Sequence, residues 1–398
     1  MSVLHSKKIL LAVSAGIAAY KAAFLVRGLI KKGAEVKVIM TPDAQHFVTP
    51  LTLSTLSKNP VEWEFFGDKG DWNNHVEYAL WADYMIVAPC TANTLSNMAD
   101  GTCDNLVLAT YLSAKCPVYF APAMDLDMYQ HPSTKANIQK LEENGNILIP
   151  AESGELASGL VGEGRMAEPD NIISFIEKHI AASLPLFGKR LVISAGPTYE
   201  NIDPVRFIGN YSSGKMGFEL AKVASNLGAK VTLVAGPSHE TVVGYPIERI
   251  NVISARDMYN TMHNQFENAD VVIMSAAVAD YRPKSVAEQK IKKNDEDMTI
   301  ELIKNPDILK SLGEIKTKQL LVGFALETNN EEEYAKQKLA KKNLDFIVLN
   351  SMQDKDAGFQ KNTNKITIID KDLSKQSFEA KSKKEVAEDI LNVVIKKL

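Results

Sequence analysis

Residues 196–217 read Gly-Pro-Thr-Tyr-Glu-Asn-Ile-Asp-Pro-Val-Arg-Phe-Ile-Gly-Asn-Tyr-Ser-Ser-Gly-Lys-Met-Gly. An apolar strand pattern precedes them and an apolar-periodic helix pattern follows. Glycines, serine hydroxyls and one lysine in such a loop suit backbone amides converging on an anion. Loops at this place are where open α/β sheets bind ligands. Gly209 to Lys215 has the G-x-x-x-x-G-K spacing of a phosphate loop, but Met216 stands where that motif needs Ser or Thr for magnesium. The strand also ends well before Gly209, which argues against an ordinary P-loop ATPase. The plain alternative is a surface loop with a helix cap at Ser212 or Ser213.

Four further places could carry chemistry. The first strand runs into Ser14-Ala15-Gly16. One glycine falls short of the three that a dinucleotide fingerprint needs, so NAD is poorly supported. A single phosphate at that helix start remains open, with Ser14 as a donor, and so does a plain strand–helix turn. Cys90-Thr91-Ala92-Asn93-Thr94 puts small and hydroxyl residues at a strand end, where they can approach a flat ring and bond its edge. His75 follows Asn73-Asn74 and reads as a base or as a helix cap. In the second half, Lys290, Lys292 and Lys293 cluster, and Lys338 and Lys342 share one helical face. Each lysine set alone would be solvated charge, and Asp280 alone could start a turn before Pro283.

These residues need a scaffold. Runs at 9–14, 35–40, 84–89, 118–121 and 147–150 read as buried strands, with helical patterns such as 17–32 and 105–114 between them. The helical stretch 171–182 closes this half, and 183–188 reads as a junction. A second cycle has strands at 190–195, 230–235, 271–275, 320–324 and 346–350. Residues 365–370 read as an edge strand or hairpin arm, and 383–395 as a closing amphipathic helix. Short apolar runs alternating with helices imply parallel sheets covered on both faces. The expectation is two three-layer, Rossmann-like α/β domains, 1–188 and 189–398. Residues 284–297 are polar, and read as a solvated connection or a lid.

Composition narrows the classes. A 398-residue chain of net charge −4 without a long single-sign block argues against nucleic-acid binding. No apolar stretch approaches the ~20 residues of a membrane span. Three cysteines, Cys90, Cys103 and Cys116, lack metal-ligand spacing, so zinc is not supported and a reducing cytoplasm is expected.

Ala121-Pro122-Ala123-Met124-Asp125-Leu126-Asp127-Met128-Tyr129 and the glycine-rich stretch 154–166 complete the first half. With Ser14–Gly16, His75 and 90–94, in this order, they resemble the flavin-dependent cysteine decarboxylases. The loop 196–217, Ala276 to Pro283 and Lys290-Ile291-Lys292-Lys293 resemble phosphopantothenate–cysteine ligase. Both halves in one chain are similar to the bacterial bifunctional phosphopantothenoylcysteine decarboxylase/phosphopantothenate–cysteine ligase family of coenzyme A biosynthesis.

The resemblance implies a flavodoxin-like flavin decarboxylase domain followed by a ligase domain. In the ligase, CMP from CTP is attached to the 4′-phosphopantothenate carboxylate and cysteine's amine displaces it, with Mg2+ offsetting the triphosphate charge. Asn210 would hold the acyl-cytidylate, and Lys290 would close over the reacting phosphate. Ala276, Asp280, Lys338 and Lys342 would serve the nucleotide, Phe324 would lie near the base, and Asn305, Pro306, Asp307 and Ile308 would wrap its other side. Metal ligands are not identified.

In the decarboxylase, FMN would oxidise the thiol side of 4′-phosphopantothenoylcysteine so that CO2 can leave, and return the electrons to give 4′-phosphopantetheine. FMN would fall to Ser14, Gly16, Thr41, Thr91, Asn93 and Thr94, and His75 would act as base. Two residues depart from the family pattern. Asp125 replaces an amide that holds the substrate carboxylate, and would repel it unless protonated or paired, with Arg165 the candidate partner. Ser158 replaces an acidic cysteine, leaving Tyr129 or Cys90 as other donors. The alternative is therefore an active ligase with a slow or inactive flavin module. A nicotinamide reductase is disfavoured because neither opening strand carries G-x-G-x-x-G. Homo-oligomers are implied, trimer-based through the flavin half and dimeric through the ligase half.

Overall fold

The computed structural model describes residues 2–67, 72–156, 159–292, 298–327, 330–351 and 363–398. The chain forms two compact units, Met1–Ile180 and Ala181–Leu398. The stretch 183–188, expected to be a junction, goes with the second unit: Leu186 is fully buried in its core and its N–H donates to Leu227 O at 2.9 Å.

In the first unit, strands β1 (Lys8–Val13), β2 (Glu35–Met40), β3 (Val61–Glu62), β4 (Tyr84–Cys90), β5 (Val118–Pro122) and β6 (Ile147–Leu148) form one sheet. The order is β3-β2-β1-β4-β5-β6, with every pairing parallel. Alternation along β1 explains the layers. Ile9, Leu11 and Val13 enter one core, while Leu10 and Ala12 enter the other. Helices cover both faces, so the strands read as unbroken apolar runs. An antiparallel hairpin follows, β7 (Glu152–Glu155) with β8 (Val161–Arg165).

The second unit repeats the plan. Its strands are β9 (Arg190–Ala195), β10 (Tyr199–Asn201), β11 (Phe207–Gly209), β12 (Lys230–Ala235), β13 (Ile247–Asn251), β14 (Val271–Met274), β15 (Tyr281–Pro283), β16 (Leu302–Lys304), β17 (Leu320–Glu327), β18 (Phe346–Ser351), β19 (Thr363–Asp370) and β20 (Lys375–Ser382). The main sheet is ordered β13-β12-β9-β14-β17-β18-β19-β20. It is parallel from β13 to β18 and antiparallel thereafter. The run at 365–370 is thus a hairpin arm, and β20 is the edge. The closing helix Lys383–Lys397 starts with a reciprocal cap between Ser382 and Glu385.

In both sheets the chain winds outward in two directions from its first strand, β1 or β9. That is a doubly wound α/β fold, and it opens a crevice at the carboxyl ends where the winding reverses.

Candidate functional site

At the first crevice, β1 and β4 diverge and Ser14 sits between them. Its buried hydroxyl donates to Pro89 O at 2.7 Å, lies 3.1 Å from Thr91 Oγ1 and accepts the Thr91 N–H at 3.0 Å. A cavity of about 750 Å³ opens beyond it. Gly16, Thr91, Asn93 and Asp125 line this cavity. A Cβ on Gly16 would lie 3.0 Å from the Thr91 methyl, a tight contact that glycine avoids. Ser14, Thr41, Thr94 and His75 are not among the lining residues.

Thr41 follows β2, and its N–H donates to Val13 O at 3.0 Å, beside the same turn. Thr94 is buried within the helix Ala92–Asp100. His75 opens the helix His75–Trp81, capped by the Asn74 side chain at Val76 N, 3.0 Å. Its ring meets Phe65 and Trp72 edge-on, at centroid distances of 6.3 and 6.0 Å. Two buried atoms of this unit, Thr41 Oγ1 and His75 Nδ1, have no hydrogen-bond partner. Packed folds satisfy nearly all such atoms, so these fit a polar group brought from outside the chain. A glycine turn at Gly16, a cavity of mixed apolar and polar lining and the orphaned Thr41 hydroxyl fit a flavin mononucleotide.

The hairpin β7–β8 forms another wall, through Glu155, Gly164 and Arg165. Gly164 has φ +137°, and a Cβ there would stand 2.5 Å from Met124 O. That contact lets the Met124 N–H donate to Gly164 O at 3.0 Å, which ties the hairpin to the Asp125 loop. Asp125 caps the helix Leu126–Gln130, accepting the Leu126 N–H at 2.6 Å. Arg165 was the expected partner of Asp125, but it pairs with Glu168 at 2.5 Å. Among the described residues Asp125 has no ion pair. Arg165 closes β8 and Glu168 follows three residues later, so this pair forms locally. Ser158 lies outside the described residues.

Sequence reading missed Lys21, which also lines this cavity. It is 3% exposed, and its ammonium donates to Met166 O at 2.8 Å and Glu168 Oε1 at 3.0 Å. The Lys21 hydrogen bond, with Arg165 beside it, holds the Glu168 carboxyl below its usual range. Cys90 is wholly buried in the core, and burial raises its thiol pKa far above the ordinary value. It is therefore a poor proton donor. Burial, then Glu163, raises the Tyr129 phenol as well.

The second crevice holds a cavity of about 450 Å³. Ala276, Asp280, Asn305, Pro306, Asp307, Ile308, Phe324, Lys338 and Lys342 all line it. Three devices assemble them. The loop after β9 pins one wall: Ala276 N–H donates to Ser194 Oγ at 3.1 Å, Ala277 N–H to Gly196 O at 2.9 Å and Ala279 N–H to Thr198 Oγ1 at 3.0 Å. Asn305 clamps the next, donating from its backbone to Asp280 O and from its side chain to Ala279 O, both at 2.8 Å. Asp307 then caps the helix Ile308–Ile315 and meets Lys342 at 3.0 Å. Burial opposes ionisation of Asp307, but the Lys310 N–H and Lys342 outweigh it and lower its pKa.

Asn210 stands at the exit of β11 and donates to Ala277 O at 3.0 Å and Val278 O at 3.3 Å. It abuts the wall without being one of its lining residues. Lys290 is exposed in a stretch without helix or strand, and it too does not line the cavity. Lys293 lies outside the described residues. Gly214 is left-handed (φ +82°) at the start of the helix Lys215–Asn226, and a Cβ there would meet Gly196 N at 2.9 Å. Among the described residues no three His, Cys, Asp or Glu gather to hold a metal, and no helix is long and apolar enough to cross a membrane.

Two doubly wound α/β units, each with a cavity at the point where its sheet reverses, define a tandem of nucleotide-type binding folds. Residues 2–181 match the Flavoprotein family, and residues 186–398 match the family described as DNA/pantothenate metabolism flavoprotein C-terminal domain. The chain belongs to the bifunctional coenzyme A biosynthesis family, CoaBC, whose members carry both a ligase and a decarboxylase. It is 47% identical over 394 residues to the coenzyme A biosynthesis bifunctional protein CoaBC of Bacillus subtilis strain 168, covering 98% of this chain and 97% of that one. It is 51% identical over 354 residues to a protein named cysteine/cysteine sulfinic acid decarboxylase from an unknown prokaryotic organism, covering 87% of this chain and 99% of that one. The crystal structure of a CoaBC C-terminal domain is 46% identical with a TM-score of 0.47, over 54% of this chain and 98% of that one.

Proposed function

We propose that the second unit joins 4′-phosphopantothenate to cysteine with CTP, and that the first decarboxylates the product to 4′-phosphopantetheine. The observation that carries the first step is the convergence of Asp280, Asn305, Asp307, Phe324, Lys338 and Lys342 on one cavity from four separate segments. A carboxylate does not acylate an amine at neutral pH without a leaving group. Lysines beside a triphosphate stabilise the charge that builds as pyrophosphate departs. Mg2+ would arrive with the nucleotide, bound mainly through its phosphates. Asn210, bonded to the wall carbonyls, would orient the acyl-cytidylate for the cysteine amine. Lys290 would offset charge at the reacting phosphate.

In the first unit, FMN when bound supplies a reversible two-electron acceptor that lets the thiol-bearing carbon be oxidised before CO2 leaves. Gly16 and Thr91 would cradle its phosphate, and Thr41 and Asn93 would bond its polar edges. His75 would hold the proton released in the oxidative step. Its imidazole does not line the cavity of its own chain but meets Phe65 and Trp72 edge-on, on a helix and loop that expose Phe66, Trp72 and Leu80. We therefore place it against the cavity of a second copy, in a trimer-based assembly through this half. Asp125, Ser158 and the Arg165–Glu168 pair would set the substrate end of the site. A cytoplasmic location accords with three unpaired cysteines.

The experiment is incubation of the purified chain with 4′-phosphopantothenate, cysteine, CTP and Mg2+. Pyrophosphate, CO2 and 4′-phosphopantetheine are the expected products, and the protein is expected to carry a flavin spectrum. ATP in place of CTP tests the nucleotide, and free cysteine in place of phosphopantothenoylcysteine tests the decarboxylase substrate. A colourless protein that releases no pyrophosphate from any nucleoside triphosphate would refute the proposal.

A further inference from the structure

Between β10 and β11 lies a tight turn, closed by Ile202 N–H to Arg206 O at 2.8 Å. Asp203 sits inside it with a side chain wholly withdrawn from solvent. Its Oδ1 accepts the N–H groups of Val205 (2.8 Å) and Arg206 (2.9 Å). Its Oδ2 accepts the Arg206 guanidinium through Nε at 2.9 Å and through Nη2. The same Oδ2 reaches out of the turn to accept the Ile291 N–H at 3.2 Å. Arg206 Nη2 donates to Ile291 O at 3.0 Å. The Asp203–Arg206 pair therefore holds both backbone polar groups of Ile291. A second tie, Ala287 N–H to Ile202 O at 3.0 Å, lies just upstream.

The two ties bracket Lys290, in a stretch whose own backbone forms no helix or strand. The other arm of the same hairpin ends at Asn210. We infer that Asp203 is a positioning residue for the ligase: it fixes Lys290 relative to Asn210 by clamping Ile291. This rests on the reading above that Lys290 and Asn210 act in the ligation. A carboxylate is needed for the clamp. Every partner is a donor, and an amide would replace one acceptor oxygen with an NH2 facing a guanidinium or an N–H. The Arg206 hydrogen bond, with the backbone donors, holds the Asp203 carboxyl well below its usual range, so the clamp stays charged across the neutral range.

The test uses the full-length chain with its flavin. Asp203→Asn should lower single-turnover pyrophosphate release by about tenfold to a hundredfold, in kcat rather than in the KM for CTP. Limited proteolysis within 284–292 should quicken, and decarboxylation of supplied phosphopantothenoylcysteine should not change. In a Lys290→Gln background, Asp203→Asn should add no further loss. Ile291→Pro removes the clamped N–H while leaving the turn intact, and should reproduce the defect if Asp203→Asn fails to fold. A normal rate in Asp203→Asn or Ile291→Pro, with Lys290→Gln impaired, would overturn the positioning role alone. So would a loss that multiplies with that of Lys290→Gln. A fully active Lys290→Gln would instead refute the parent reading, and the inference with it.

Discussion

The Lys338 ammonium donates to the carbonyl of Phe324 at 2.7 Å. The bond joins the helix Glu331–Lys341 to the middle of β17, and it fixes a positive charge in the cavity wall that Phe324 also lines. A base stacked near Phe324 would put its phosphates within reach of that charge. Lys338→Met should raise the KM for the nucleoside triphosphate about tenfold and leave CO2 release unchanged. Steady-state kinetics on each half-reaction decide it, and an unaltered KM would remove Lys338 from nucleotide binding.

Asn210 and Lys290 occupy different structural settings, one bonded to the cavity wall and the other exposed in a stretch without helix or strand. Lys290→Gln should slow formation of the acyl-cytidylate. Asn210→Asp should let that intermediate accumulate, because its capture by cysteine is what fails. Rapid-quench analysis separates the two, and identical profiles would undo the division of labour.

His75→Asn should abolish decarboxylation and spare ligation. If a second copy supplies the imidazole, mixing this variant with an Asn93→Ala variant, refolded together, should restore part of the CO2 release. Neither parent alone should show it. No recovery in mixed assemblies would place the histidine and the cavity in the same chain.

Gly164 has a backbone shape that L side chains rarely adopt, and its Cβ position is occupied by the Met124 carbonyl. Gly164→Ala should cost about 1–3 kcal/mol locally and detach the hairpin from the Asp125 loop. Flavin binding and decarboxylation should fall while pyrophosphate release stays normal. A full decarboxylation rate would show that the hairpin does not shape the site.

Asp203 sets an acid limit. Its folded carboxyl is held below the ordinary value of 3.8. A lowered carboxyl contributes stability above that ordinary value and loses it as pH falls toward the folded one. The second unit should therefore weaken below about pH 4, and Asp203→Asn should flatten this acid limb while lowering stability at pH 7. Thermal unfolding from pH 7 to 3 measures both, and parallel curves would sink the assignment.

Much of the architecture is legible from β1 and β9, whose two buried faces force unbroken apolar runs. The small hairpins are not. Tyr199–Asn201, Phe207–Gly209 and Tyr281–Pro283 are three residues each, too short for any period to emerge. Glu152–Glu155 is glycine- and glutamate-rich, which local propensity reads as loop. The second cavity was legible through the resemblance carried by residues 196–217, 276–283 and 290–293, whereas Phe324 in mid-strand and Lys338 and Lys342 on a helical face carry no local signal of their own. Lys21 was not legible, because it lies on an apolar helix and Glu168, its partner, is distant in sequence. Nor does anything local reveal that Asp203 grips Ile291.

The eight-stranded sheet has to stop somewhere, and it stops at β20. That strand bears Lys375, Glu379 and Lys381 along its length. Another chain adding itself there would have to dehydrate these charges to gain its ladder of bonds. The antiparallel tail thus serves as a guard rail, letting a broad sheet remain open-edged without inviting aggregation.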